Sequence, residues 1–282
     1  MLSVDELEDK LIELAFAEDI GDGDHTTLCC IPDDAIGKSH LLIKENGILA
    51  GVEMAKKVFF FFFPTLTVEV LIKDGTPVKV GDIAMIVSGK TRSLLQTERL
   101  MLNIMQRMSG IATMTNKYVK LLEGTVTHVL DTRKTTPGLR MLEKQAVKIG
   151  GGMNHRIGLF DMILLKDNHV DFAGGIENAI DRCHTYLKEK GLDLKIEIEV
   201  RNFDELQRVL NHGGVDRVMF DNFSVPDTKK AVDLVAGRME TESSGGITFD
   251  TIRGYAEQGV DFISVGALTH SVKGLDMSFK AC

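Results

Sequence analysis

Basic side chains are concentrated in one stretch of this sequence, residues 128–169. The cations of this stretch are Arg133, Lys134, His155, Arg156 and Lys166. Three of them follow directly after short apolar runs, 128–130 and 161–165, that are typical of strands. A charge run is usually a solvated helix face, but cations at the ends of apolar runs indicate a pocket for a small polyanion.

Carboxylates and glycine-rich turns stand at the ends of later apolar runs. Glu199 lies in one run and Asp221 ends the next. Two carboxylates are too few to enclose a metal ion, but they suit ribose hydroxyls or a magnesium ion that keeps its waters and binds phosphates. The turns at 244–246 (Ser-Gly-Gly) and 266–267 (Gly-Ala) lead into helices, and backbone N–H groups in such turns bind phosphate without a cationic side chain. The sequence therefore predicts a phosphosugar site beside the cationic pocket.

The elements that must position these residues alternate along the chain. From residue 128 onward, apolar runs ending at 131, 165, 200, 221, 242 and 266 are separated by helical patterns. This alternation predicts a parallel sheet, and polar groups at the carboxyl ends of successive parallel strands are how α/β barrel enzymes build their sites. The earlier residues combine short β-type runs with helices and predict a first domain of the α+β kind.

Local patterns predict two helices in the first half of the chain. Residues 4–17 have the period of an amphipathic helix that buries Leu7, Leu11 and Leu14. A second helical pattern runs from about residue 91 to 122, and Gly110 predicts a division of it into two helices. The phenylalanine run 59–63 is too short for a membrane span and predicts a buried helix end, a buried strand or a subunit contact.

Composition limits the classes of protein that need to be considered. A chain of 282 residues suits one α/β barrel, with or without a smaller companion domain. The formal net charge of −8 argues against nucleic acid as a partner. The four cysteines show neither metal-site spacing nor a disulfide framework, so we expect a reducing, cytoplasmic setting. The acidic N-terminal residues and the lack of any long apolar run predict no membrane attachment.

Several stretches match one known family in the order that the family has them. They are NGILAGVEMA, QTERLMLNIMQRMSGIAT, DTRKTTPGLRMLEKQAVKIGGGMNHRIGLFDMILLKDNH, IEIEV, MFDNFS, ESSGGI and ISVGALTHS. On these residues, which span nearly the whole chain, the protein resembles the quinolinate phosphoribosyltransferases. The resemblance implies an α/β fold: an N-terminal open-faced α/β sandwich (residues 1–110, to which the tail 271–282 returns) and an incomplete, TIM-like α/β barrel (residues 111–270).

The resemblance also implies an activity and its requirements. The activity is a magnesium-dependent transfer of phosphoribose from phosphoribosyl pyrophosphate to quinolinate with decarboxylation. The products are nicotinate mononucleotide, pyrophosphate and CO2, and the pathway is NAD biosynthesis. Mg²⁺ is the implied cofactor, and the implied assembly is at least a homodimer.

Residue roles carry over only where this sequence matches the family. Quinolinate binding falls on Arg133, Lys134, His155, Arg156 and Lys166, with Arg99 contributed by a neighbouring subunit. Phosphoribosyl pyrophosphate binding falls on Glu199, Asp221, Ser244, Gly245, Gly246, Ser264, Val265, Gly266, Ala267 and His270. The catalytic candidates are Lys134, Glu199 and Asp221, and the last two also hold the metal, directly or through water. Glu242 matches a position near the phosphosugar.

Two alternatives remain at the level of sequence. One is an enzyme of the same fold that acts on a different acid, such as nicotinate, or a relative linked to molybdenum uptake; the number of cations favours a diacid over these. The other is a non-catalytic phosphosugar-binding protein, and the presence of both Glu199 and Asp221 argues against it. The fold alone would not decide, because this architecture hosts many functions.

Overall fold

The structure, a computed structural model, describes residues 2–282; Met1, the first residue of the predicted N-terminal domain, lies outside the described part. The chain divides into two compact units. The first unit contains the residues up to 116 together with 135–151 and 267–282, and the second contains 117–134 and 152–266. Segment 135–151 therefore packs with the first unit, although it lies within the residues that the sequence assigned to the barrel.

Helices and strands follow one another along the whole chain. In order they are α1 (Val4–Ile20), α2 (His25–Cys30), β1 (Ile36–Ile43), β2 (Gly47–Ile48), α3 (Val52–Phe62), β3 (Thr67–Val70), β4 (Pro77–Val78), β5 (Ile83–Lys90), α4 (Thr91–Leu121), β6 (His128–Leu130), α5 (Arg140–Ile149), β7 (Ile163–Leu165), α6 (Asp167–Ala173), α7 (Ile176–Lys190), β8 (Ile196–Val200), α8 (Phe203–His212), β9 (Arg217–Asp221), α9 (Val225–Val235), β10 (Glu240–Ser244), α10 (Ile252–Ala256), β11 (Phe262–Ser264), α11 (Ala267–His270) and β12 (Met277–Ala281). None of the helices in residues 2–282 is long and apolar enough to cross a membrane.

The first unit is built on an antiparallel sheet with the order β12-β1-β5-β3. The C-terminal strand β12 pairs with β1, so that Leu41 lies opposite Phe279. Alternate residues of β1 are buried, which is the pattern of a sheet with one face on a core. The α+β character predicted for this part of the chain is present, with helices α1, α3 and α4 accompanying the sheet.

The face that α1 buries differs from the predicted one. Leu7 and Leu14 are 41% and 67% exposed, whereas Ile12 and Phe16 are buried. The cause is the phenylalanine run on α3: the ring centroid of Phe16 lies 4.2 Å from that of Phe62. Phe16 thus packs on the buried face of α1 with an aromatic partner that the helical period of α1 alone does not show. The run forms the end of a helix, as predicted, but this end is not buried as a whole: Phe59 is buried, whereas Phe60 and Phe62 are each 40% exposed.

Helix α4 is continuous through Gly110, so the predicted division into two helices is wrong. An ideal Cβ placed on Gly110 would lie 2.2 Å from the backbone oxygen of Lys273, which belongs to the same unit. The glycine is therefore explained by close approach of a neighbouring backbone, not by a break in the helix.

The second unit contains the parallel sheet that strand–helix alternation predicted. Its six strands have the order β6-β11-β10-β9-β8-β7. Register places Glu199 opposite Met219 and Glu197 opposite Arg217. It also places Glu242 opposite Met219 and Ser244 opposite Asp221. Because side chains alternate between faces, these residues form successive rows on one face of the sheet.

Candidate active site

A cavity of about 330 Å³ opens in the second unit. It is lined by Thr132, Arg133, Lys134, His155, Arg156, Leu164, Lys166, Met219, Ser244 and Ser264. The lining residues that follow or end β6, β7, β10 and β11 place the cavity at the carboxyl ends of the parallel strands. All the cations predicted from the stretch 128–169 are brought together in its wall.

The cationic wall is dense enough that its members affect one another. Burial and the neighbouring Arg133 guanidinium lower the pKa of Arg156, while Glu197 and Asp161 act in the opposite direction. Arg156 is fixed from one side by its Nη1, which donates a hydrogen bond to the carbonyl of Met162 at 3.2 Å. A wall of this kind is suited to an anion with more than one carboxylate, because each added negative charge relieves repulsion between the cations.

The carboxylates Glu199 and Asp221 occupy neighbouring strands, as predicted. Oε2 of Glu199 accepts a hydrogen bond from Nζ of Lys166 at 3.0 Å. Oδ2 of Asp221 accepts one from Nδ2 of Asn222 at 2.9 Å. Both are hard oxygen donors of the kind that Mg²⁺ prefers, and Mg²⁺ commonly binds one or two carboxylates while it keeps several waters and takes up substrate phosphates.

The glycine-rich turn after β10 has a backbone that other residues would strain. Gly245 and Gly246 have φ angles of 95° and 62°. A Cβ on Gly245 would lie 2.2 Å from Oδ1 of Asn222, so this turn requires glycine on steric grounds as well. The turn follows Ser244, whose side chain lines the cavity. The turn does not lead directly into a helix as predicted, because α10 begins only at Ile252, so the predicted phosphate-binding role depends on the backbone N–H groups of the turn itself.

The imidazole of His155 is turned towards buried carboxylates. Its Nε2 lies 3.1 Å from Oε2 of Glu197 and 3.6 Å from Oε2 of Glu242. Its Nδ1 accepts a hydrogen bond from the backbone N–H of Arg156 at 2.7 Å. The backbone N–H of His155 itself donates to Oδ1 of the buried Asp131 at 2.9 Å.

Burial dominates the acidity of these carboxylates. It raises the pKa of Glu197 to about 7, against the lowering effect of Arg217 and of a hydrogen bond with Glu242. Burial and the nearby charge of Glu197 likewise raise the pKa of Glu242 to about 7. Glu242, matched in sequence to a position near the phosphosugar, is fully buried, and it reaches the cavity through hydrogen bonding with Ser264.

Some predicted residues are not among those that line the cavity, and they include Glu199, Asp221, Gly245 and Gly246. Val265 is buried and its backbone N–H donates to the carbonyl of Leu130, so that this N–H is engaged within the sheet. Gly266 follows it at the end of the second unit. Ala267 and His270 belong to α11 in the first unit, where Nδ1 of His270 lies 2.7 Å from Oγ of Ser271. Arg99 is an exposed residue of α4, also in the first unit.

Sequence reasoning missed the layer beneath the cavity. Glu197 and Arg217 were not singled out, although Glu197 precedes Glu199 by two residues in the strand IEIEV. In a strand, residues two apart share a face, so a second glutamate at that spacing signals a charge on the same face one row further down. Thr132, Leu164 and Met219, which also line the cavity, carried no comparable signal.

A parallel α/β sheet with a cationic cavity, paired carboxylates and a glycine-rich turn at its carboxyl end defines an enzyme-type site for anionic substrates. Family models for the N-terminal and C-terminal domains of quinolinate phosphoribosyl transferase match residues 24–109 and 111–280. The chain therefore belongs to the quinolinate phosphoribosyltransferase family, as the sequence resemblance predicted.

Individual relatives agree with the family match over almost the whole chain. The chain is 46% identical to a chloroplastic nicotinate-nucleotide pyrophosphorylase (carboxylating) of Arabidopsis thaliana, over 96% of this chain and 81% of that protein. It is 39% identical to a probable nicotinate-nucleotide pyrophosphorylase (carboxylating) of Bacillus subtilis, over 95% and 91%. The solved nicotinate-nucleotide pyrophosphorylase of Francisella tularensis superposes with a TM-score of 0.93 at 38% identity, covering 100% of this chain and 98% of that one.

Proposed function

We propose that this protein transfers phosphoribose from phosphoribosyl pyrophosphate to quinolinate and removes one carboxylate, forming nicotinate mononucleotide for NAD biosynthesis. The observation that carries this proposal is the cavity of the second unit, whose wall joins Arg133, Lys134, Arg156 and Lys166. Relatives with 39–46% identity bear the name of this activity. Its reaction class is that of a pentosyltransferase.

The cationic wall holds the diacid. Desolvating two carboxylates is costly, and charge-assisted hydrogen bonds from guanidinium and ammonium groups offset that cost. Lys166 in the resting protein is bound to Glu199. On arrival of the diacid, Lys166 can share its three N–H donors between Glu199 and a substrate carboxylate, which places the acid beside the sugar-binding carboxylates.

The transfer step depends on positioning and electrostatics. The pyridine nitrogen attacks the anomeric carbon as the bond to pyrophosphate breaks, and positive charge develops on the ribose. Glu199 and Asp221 orient the ribose hydroxyls and stabilise this charge, while the turn at 244–246 holds the 5-phosphate through backbone N–H groups. Magnesium, held by Glu199 and Asp221 directly or through water, would neutralise charge on the leaving pyrophosphate.

The second half of the reaction breaks a carbon–carbon bond. The carboxylate at carbon 2 leaves as CO2, and its bonding electron pair remains on carbon 2 beside the positively charged ring nitrogen. A proton then adds to carbon 2. Lys134, a cation in the cavity wall, is the candidate for stabilising the negative charge or delivering the proton.

The assembly and location that accompany this function are also proposals. A homodimer or larger assembly would bring Arg99 of one chain to the cavity of another, and exposure of Arg99 on α4 is compatible with that role. A cytoplasmic location is supported by four cysteines that are all free thiols among the described residues. We expect small-molecule substrates and neither nucleic acid nor membrane as partners.

The test is an assay of the purified protein with quinolinate, phosphoribosyl pyrophosphate and magnesium, in which CO2 and nicotinate mononucleotide are followed together. Nicotinate serves as a parallel substrate. The proposal expects stoichiometric release of both products from quinolinate and no product from nicotinate. Product from nicotinate alone would identify a same-fold transferase for a monoacid and would remove the decarboxylation step.

A further inference from the structure

A layer of buried charge lies beneath the cavity of the second unit, and the proposed function makes no use of it. Glu197 on β8 and Glu242 on β10 are fully buried, on either side of strand β9. Arg217 of β9 contacts this layer, with its Nη1 3.1 Å from Oε2 of Glu242. Buried charges are expensive, so their presence calls for a role that an apolar core would not fulfil.

His155 connects this layer to the cavity. Its Nε2 faces Oε2 of Glu197 at 3.1 Å, and its Nδ1 accepts the backbone N–H of Arg156 at 2.7 Å. A backbone N–H can only donate, so in this arrangement Nδ1 carries no proton and the ring proton sits on Nε2, directed at the carboxylates. The two atoms are not aligned as a hydrogen bond, so Glu197 acts on the ring through this close polar contact, which favours a proton on Nε2 and this rotation of the ring.

The orientation of the ring is transmitted to the next residue, Arg156. The backbone N–H of Arg156 is tied to the ring, its Nη1 is tied to the carbonyl of Met162, and its side chain lines the cavity. If the ring of His155 turned over, the hydrogen bond to this backbone would be lost. The backbone that carries the Arg156 side chain would then lose this anchor, and the guanidinium in the cavity wall would keep only its bond to the carbonyl of Met162.

The same three side chains have the spacing of a metal site, but their charge is already balanced. Ligand atoms of His155, Glu197 and Glu242 lie within 4.8 Å of one another. Arg217, a permanent cation, is bound to Glu242, and Arg217, Arg156 and Lys166 all act on the carboxylate of Glu197. The protein supplies its own counter-charge here, which favours a positioning role over ion binding.

We propose that Glu197 is a positioning residue of the diacid pocket, which holds His155 through Nε2 and thereby sets Arg156 against the ligand. The inference rests on the proposed function for the identity of that ligand, pyridine-2,3-dicarboxylate. If Glu197 acted only through the electrostatic field of its buried charge, its removal would change the affinity for quinolinate in the opposite direction. Removing a negative charge below a cationic pocket would by itself tighten the binding of a dianion.

Two substitutions of Glu197 in the full-length protein distinguish the positioning role from the electrostatic field effect. Glu197→Leu removes both the charge and the polar oxygen that lies 3.1 Å from Nε2, whereas Glu197→Gln removes the charge but keeps a carbonyl oxygen that can accept from Nε2–H. We expect Glu197→Leu to raise KM for quinolinate about tenfold, and Glu197→Gln to stay within about threefold of wild type. KM for phosphoribosyl pyrophosphate should change by less than about twofold in both.

The matched control is Glu240→Gln. Glu240 binds the same Arg217, at 2.9 Å from Nη2, but is partly exposed and is not a partner of His155. KM for quinolinate should be unchanged in this variant. Equal effects of Leu and Gln at position 197, or unchanged or tighter quinolinate binding in Glu197→Leu, would overturn the proposal.

Nitrogen-15 NMR of the histidine rings supplies a readout that does not depend on turnover. We expect the ring of His155, assigned by its loss in His155→Gln, to carry its proton on Nε2 in wild type and to lose this single tautomer in Glu197→Leu. A proton on Nδ1 in wild type would overturn the proposal even if the leucine variant failed to fold. If wild type did not turn over quinolinate at all, the proposed function would fail, while the ring spectra would still decide whether Glu197 positions His155.

Discussion

At the scale of single residues, the cationic wall is partly paired before any ligand arrives. Nζ of Lys166 lies 3.0 Å from Oε2 of Glu199; the lysine side chain is 47% exposed and the glutamate side chain 10%, so water reaches mainly the lysine end of this ion pair. A half-exposed lysine that is paired with a carboxylate can exchange this partner for an incoming anion.

The first prediction concerns that lysine. Lys166→Gln should raise KM for quinolinate by about tenfold or more, because it removes a charge-assisted contact to one carboxylate. The free energy of unfolding should change by less than about 1 kcal/mol. Steady-state kinetics and urea unfolding provide the two numbers. The control is Lys195→Gln, since Lys195 forms a comparable exposed pair with Glu240 at 3.5 Å; equal KM values for the two variants would contradict the prediction.

The second prediction concerns pH and the buried Glu242. Burial and Glu197 raise its pKa to about 7 in the folded protein, above its ordinary value of 4.5. The folded state therefore holds a proton that the unfolded state has lost, and stability falls as pH rises from about 4.5 to 7. The Glu242→Gln side chain is neutral at every pH and has no such titration. Urea unfolding at pH 5 and pH 8 should show a decrease for wild type that is smaller in Glu242→Gln by about 2 kcal/mol. An identical pH dependence in the two proteins would count against the raised pKa, and Glu240→Gln serves as the exposed control.

Sequence reasoning located the cations because each follows an apolar run or lies in a loop, where a charge is visible against its surroundings. It could not find the ring orientation of His155, since that depends on Glu197, 42 positions away in the sequence. Nor could it separate Glu199, whose side chain is 10% exposed, from Glu197, which is fully buried. The two share a strand face, and only packing in the second unit decides which of them water can reach.

At the scale of elements, helix α4 shows how a glycine can be misread. The sequence suggested a break at Gly110, yet the helix runs from Thr91 to Leu121 without one. Glycine is required at this position because the backbone carbonyl of Lys273 lies where a Cβ would be. That contact is invisible in the sequence because it joins residues far apart along the chain. The buried face of α1 was missed for the same reason, since its aromatic partner lies on α3.

The third prediction follows from that glycine. Gly110→Ala should destabilise the protein by about 1–3 kcal/mol, because the new methyl group meets a backbone oxygen that cannot move like a side chain. A helix-breaking glycine would give the opposite sign, since alanine stabilises a helix by about 1 kcal/mol relative to glycine. The control is Gly254→Ala in α10, where the nearest atom to the added Cβ is a side-chain carbon of Val225 at 3.5 Å. Thermal and urea unfolding of the two variants should therefore differ in sign.

At the scale of the whole molecule, the predicted α/β class and the parallel sheet are confirmed, because strand–helix alternation is a local signal repeated many times. The spatial order of the strands was not predictable in this way. The sheet order places β6 beside β11, which are separated by more than a hundred residues in the sequence. Segment 135–151 likewise joins the first unit through packing that no local pattern reveals.

The last prediction tests whether sites are shared between chains. Arg99 is exposed on α4 and was assigned to the site of a neighbouring subunit. If that assignment holds, Arg99→Ala and Lys134→Ala chains are both inactive alone, but each mixed dimer contains one complete site. That site combines Lys134 from the first chain with Arg99 from the second. Random mixing makes about half of the dimers hybrid, with one active site in two, so about a quarter of wild-type activity should return.

The control mixes Arg133→Ala with Lys134→Ala, whose residues both line the cavity of their own chain, and no activity should return. Native mass spectrometry must show that hybrids have formed; mixed dimers without activity would mean that Arg99 does not act across the interface.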